Sequence, residues 1–214
     1  MKQINTASLK GRKPMSEFTS GHLLLANHEE AVRKYAIPGS IIKVLDEKWI
    51  AYLTSDDNYL EQLEGPDVIY QLSKEAPVLN FCNIGDHFWG YRIFNNGQEV
   101  AYLRISHELE EEIIIKIFEE RYPDKDILEL YSGIHEEISQ EVLENGILED
   151  EIEHLFDKSN VSAFKLFDIS DEQIEKLKSI LNATYYKEHK NLYLYVEEFK
   201  DIIGISEMSW IRQG

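Results

Sequence analysis

The sequence predicts an α+β protein whose first half is mainly antiparallel sheet and whose second half is acidic and mostly helical, the two packed together. Three observations carry that expectation. An Asn96-Gly97 pair sits between two long apolar runs, the periodicity changes from strand-like to helix-like near residue 106, and Ser170 with Gln173 forms a capping box ahead of an amphipathic segment. At 214 residues, 43% of them hydrophobic, the chain can bury a sizeable core. The natural division is residues 1–105 and 106–214, as two halves or as one compact domain.

Residues 1–20 lack periodicity and read as an arm that is extended or poorly ordered. His22 to Tyr35 reads as a helix stopped by Pro38-Gly39. Ile41 to Leu45 and Trp49 to Leu53 form a hairpin around Asp46-Glu47-Lys48, and a short helix capped by Ser55 runs through Leu63 to Gly65-Pro66. Val68 to Leu72 and Val78 to Cys82 supply two further strands. The central feature is the hairpin from His87 to Ile105. Asn and Gly tolerate the φ > 0 that both positions of a type I′ turn require, and an uninterrupted register then pairs Ile93 with Val100, Tyr91 with Tyr102 and Trp89 with Arg104 on one face. Because both of its faces are largely apolar, the hairpin is expected to be covered on both sides.

From Ser106, read as an N-cap, Leu109, Ile113, Ile114, Ile117 and Phe118 recur at helical spacing until Pro123. A second helix runs from about Ile127, carries Ile134, Ile138 and Val142 one turn apart, and closes at Asn145-Gly146. A short third spans Glu149 to Phe156. Ser170 opens a fourth through Leu181, Val196 to Ile203 forms a last one before Gly204, and Met208 to Ile211 reads as a strand.

Charge separates the halves sharply. The formal net charge is −18, and residues 1–105 hold 13 acidic against 11 basic side chains, whereas residues 106–156 hold 17 acidic groups against Lys116, Arg121 and Lys125. Such a surface repels phosphate, so direct nucleic-acid binding is excluded there and a basic protein partner is favoured. The single cysteine and the polar amino terminus predict cytoplasmic residence, and the longest early apolar run, Leu23 to Ala26, is far short of a membrane span. Lys10, Arg12 and Lys13 in the arm are too few to define a binding site.

Glycine-rich phosphate loops, the nucleophile elbow, zinc helices, EF-hands and paired cysteines are all missing from the sequence, so no catalytic residue, metal or cofactor is assigned. Oligomeric state has no signal. Weaker constellations are Cys82, Asp86 and His87 at the mouth of the hairpin, and Glu151 with His154 at the spacing that puts two ligands on one helical face. Trp89, Tyr91, Tyr102 and Arg104, placed together by the simple register, are candidate ligand-binding residues that could stack a planar group. Glu108, Glu111, Glu112 and Glu119 on the first acidic helix, with Glu136, Glu137 and Glu141 on the second, are candidate partner-binding residues. Small acidic immunity or antitoxin-like proteins share this general composition, and a regulatory protein-binding module is the leading expectation. The alternative is an enzyme or small-ligand binder with a pocket between the halves.

Overall fold

The computed structural model describes residues 18–54, 67–85, 87–189 and 191–205. Asn96 (φ 53°) and Gly97 (φ 75°) both take the left-handed conformation and join β5 (Phe88–Asn95) to β6 (Gln98–Ser106) in the expected hairpin. These strands end a six-stranded antiparallel sheet that also holds β1 (Phe18–Leu25), β2 (Ile41–Val44), β3 (Trp49–Leu53) and β4 (Val78–Ile84). Its order is β2-β3-β1-β4-β5-β6. The architecture is α+β, with the helices gathered mostly in the second half.

One face of the sheet carries Leu23, Ala51, Phe81, Trp89, Tyr91 and Leu103, and they share a single core with residues of the carboxy-terminal half. That cover consists of a 3-10 segment (Val161–Phe167), α7 (Asp171–Ile180), α8 (Ala183–Glu188) and α9 (Leu192–Ile203), numbered after the six earlier helices. The capping box is present: Ser170 Oγ accepts from the Gln173 backbone and the Gln173 side chain reaches back to Ser170 N–H. Phe199 on α9 lies parallel to Tyr91 with ring centroids 5.5 Å apart, and it also touches Phe81, Trp89 and Phe164. On the opposite face, α1 (Glu29–Lys34) and α2 (Asp67–Leu72) bury Leu24, Ile50, Tyr52, Val78 and Phe94 at one end.

Between β6 and the 3-10 segment a helical unit is built around its own small core of Ile113, Ile114, Phe118, Leu130, Ile138 and Val142. It comprises α3 (Leu109–Arg121), a short α4 (Ile127–Glu129), a wide turn (Leu130–Ile134), α5 (His135–Glu144) and α6 (Ile147–His154).

Several expected elements are corrected. The helix read from His22 is instead the strand β1, a 3-10 turn (Ala26–His28) and a shorter α1. Leu23 and Leu24 are fully buried on opposite faces of a strand inside the sheet, so its Leu23-Leu24-Leu25 end reads as an apolar run without alternation. Val68 to Leu72 is helical, with Ile69 and Leu72 buried one turn apart. Ser106 belongs to β6 and does not cap α3. Its Oγ accepts from Glu108 N–H at 3.1 Å and donates to Glu112, while Glu108 takes the cap position. The helix read from Ser55, most of the amino-terminal arm and the strand read from Met208 lie outside the described residues.

Candidate functional site

The β5–β6 register decides where the ligand candidates go. Asn95 faces Gln98 and Phe94 faces Glu99 as the turn demands, but a bulge then shifts the ladder so that Ile93 pairs with Ala101, Tyr91 with Leu103 and Trp89 with Ile105. A one-residue shift moves every later side chain of β6 to the other face. Trp89 and Tyr91 therefore enter the main core. Tyr91 donates its hydroxyl to Ser159 O at 2.7 Å, its ionisation pushed far up by burial, and Trp89 packs edge-on against Tyr195. Tyr102 and Arg104 stand on the opposite face, beside Arg92 and Gly90. The expected four-residue stacking surface is thus split across the sheet, with only Tyr102 and Arg104 available to a ligand.

Those two join a polar cluster drawn from β5, β6 and the first turn of α3. The Arg92 guanidinium lies 5.0 Å from the Tyr102 ring centre and 3.4 Å from the Glu99 carboxylate, and Arg104 rests over Phe88 while clamping Glu112 through two bonds of 2.9 Å. Burial works to raise the Glu112 carboxyl, yet hydrogen bonds from Arg104 and Ser106 outweigh it and leave Glu112 below the ordinary glutamate range. Burial lifts Tyr102 upward against the pull of both arginines.

The chain leaving α6 runs back along the edge strand: Tyr102 N–H donates to Lys158 O at 2.8 Å and Asn160 donates to Val100 O at 2.7 Å. That covers part of the exposed edge of β6. Between this return and α3 opens a cleft of about 410 Å³ lined by Tyr102, Arg104, Glu112, His154, Asp157 and Lys158, among others. His154 is held above its usual range, first by its hydrogen bond with Asp150 O and then by Asp157.

The acidic candidates divide into two groups. Glu111 accepts from Tyr131 (2.6 Å) and bonds His135 (2.8 Å), Glu112 is held by Arg104, and Glu141 is held by Arg121. Hydrogen bonds hold the Glu111 carboxyl down, from His135 first, and Glu141 is lowered chiefly by Arg121. Glu108, Glu119, Glu136 and Glu137 are exposed, without an ion-pair partner among the described residues. Cys82 is buried beside Phe88, His87 is exposed in the adjoining turn, and Asp86 lies outside the described residues. Glu151 pairs with Lys116 at 3.8 Å, and no group of three or more metal-ligating side chains occurs among the described residues. No described helix is long and apolar enough to cross a membrane.

The apolar pattern of the sequence gives no sign of Lys158 and Asp157, which join the cleft only because the returning segment is pinned to β6, nor of the exposed pair Leu128 and Tyr131. Gly133 was the available signal for the latter, since it interrupts the second acidic helix. Family models, curated proteins and solved structures yield no match to this chain.

Proposed function

We propose that the chain is a cytoplasmic protein-binding module, of the immunity, antitoxin-like or regulatory kind, that presents its helical unit to a partner with a basic surface. One observation carries the reading. Of the 17 carboxylates between residues 106 and 156, eleven make no ion pair among the described residues, and they sit on a unit whose core is separate from the main core. A surface of that sign accelerates encounter with a cationic protein and repels phosphate backbones.

The test replaces Glu108, Glu119, Glu136 and Glu137 with Gln and measures association with a partner captured from the native cell. The association rate should fall severalfold and its salt dependence flatten, while stability stays within about 1 kcal/mol because these side chains are exposed. An unaltered rate at low ionic strength overturns the reading. A second reading, a small-ligand or catalytic site, is favoured specifically by the cleft, where Arg104, His154 and Lys158 meet Glu112 and Asp157 around an open volume. A ligand whose binding is lost in Tyr102→Ala but kept in the Glu→Gln variant selects that reading over the first.

A further inference from the structure

We propose that Ile127, Leu128 and Tyr131 form the anchoring spot of the helical unit, and that its occupant is a basic amphipathic helix of another protein. This rests on the docking reading above and adds where the contact is centred and what chemistry meets it.

Were residues 127–144 one regular helix, Tyr131 would fall on the same stripe as Ile134, Ile138 and Val142, being three, seven and eleven residues away from them. The wide turn at Leu130–Ile134, kinked at Gly133 (φ 142°), breaks that phase. Leu130 takes the inward place and is fully buried, while Tyr131 is left 58% exposed. Leu128, one helical turn before Tyr131, is 74% exposed, and Ile127 is 40% exposed. Single-turn bulges of this kind are frequent at functional sites, and here the turn leaves an aromatic ring outside the unit's core.

Tyr131 is exposed but held. Its hydroxyl donates to Glu111 across the unit, and its ring stacks on His135 with centroids 5.6 Å apart and planes 23° apart. Holding the ring beforehand lowers the entropy lost on binding, which is what distinguishes an anchor from a loose surface side chain. Carboxylates rim the spot. Glu111 touches the ring's hydroxyl, the charge of Glu108 is felt there, and Asp126 and Glu129 flank Leu128 in the chain, Glu129 with the Lys125 ammonium 3.9 Å away.

An apolar centre with an acidic rim complements a helix that has an apolar stripe between lysines or arginines. Strand addition is unavailable, because the unit is helical throughout and offers no open strand edge. A second copy of this chain would set one acidic rim against another.

The probe is a synthetic peptide of about 18 residues, made of Leu and Lys with leucines at i, i+3, i+4 and i+7, compared with a scrambled peptide of the same composition. Fluorescence anisotropy at low ionic strength reads binding, and sedimentation reads self-association. The striped peptide should bind at least about tenfold more tightly than the scrambled one, and Leu128→Asp or Tyr131→Asp should remove that advantage. Leu143→Asp, at another exposed apolar position of the same unit, should leave binding unchanged within about twofold. Circular dichroism of Leu128→Asp confirms folding, and Tyr131→Phe, which keeps the ring and loses the bond to Glu111, should give an intermediate loss. If Leu128→Asp binds the striped peptide as the parent does while the Glu→Gln variant weakens both peptides, the anchor is wrong and the acidic-face reading stands. If neither peptide binds, both fall; if the chain dimerises and Leu128→Asp abolishes it, the occupant is a second copy and this proposal is overturned.

Discussion

The main core and the core of the helical unit are built from the same residue types and behave as opposites. The first joins strands from the first half to helices from the second around Phe199, which stacks on Phe81 and Tyr91 and meets Trp89 and Phe164 at steeper angles. The second consists of six buried aliphatic and aromatic side chains within a stretch of about thirty residues, from Ile113 to Val142. Apolar burial contributes roughly 25 cal/mol per Å², so a core this small supports a unit that opens at lower free energy than the sheet. The difference predicts a rigid sheet and a more adaptable acidic surface.

The largest expected effect tests the rigid side. Phe199→Ala removes a fully buried ring that touches four other rings, and it should cost about 3–5 kcal/mol of global stability in urea unfolding. Gly90→Ala is a backbone counterpart. A β-carbon there would lie 2.1 Å from Leu103 O, so β5 and β6 must separate locally, at a cost of about 1–3 kcal/mol or more.

The equivalent change in the other core should read differently. Phe118→Ala empties a buried site that faces α5, and hydrogen exchange should quicken across residues 109–154 while the amides of β1, β4 and β5 keep their protection. If the sheet amides quicken to the same extent, the two cores are one cooperative unit and the comparison fails.

The same contrast explains what was legible in the chain. The Asn96-Gly97 turn, the Ser170 capping box and the α3 periodicity are local devices, each complete within a few residues, and each is found where its chemistry puts it. What escaped was set by tertiary partners. The β6 bulge is invisible in an alternating pattern where both faces are apolar, yet it alone separates Trp89 and Tyr91 from Tyr102 and Arg104. β1 was hidden because its Leu23-Leu24-Leu25 end is buried on both faces and has no period of two, while Thr19 and His22 are polar residues buried by tertiary partners. The cleft depends on Lys158 O accepting from Tyr102 N–H, a bond across 56 positions that no spacing rule reaches.

The smallest effect lies where the two regions meet, at the clamp of Arg104 on Glu112. Glu112 joins the first residues of α3 to β6, so its titration reports on the junction and not on either core. Its folded pKa lies below the ordinary value of 4.5: burial pushes upward, and the bonds from Arg104 and Ser106 pull it down by more. A carboxylate with a depressed folded pKa stabilises the native state above its unfolded value, and that contribution is lost as pH falls through the folded one. Glu112→Gln should therefore lower stability at neutral pH by about 1 kcal/mol or less, because the side chain is partly exposed and its charge is screened. Below the folded pKa the native glutamate is protonated as well, so parent and variant should converge in urea unfolding as the pH drops under 4.5. Other lowered carboxylates, Glu111 and Glu141 among them, titrate in both proteins and cancel in the difference. A gap between the two proteins that persists undiminished at acid pH would assign the loss to packing at the Ser106 turn, and the junction would then be held by shape and not by the Arg104–Glu112 pair.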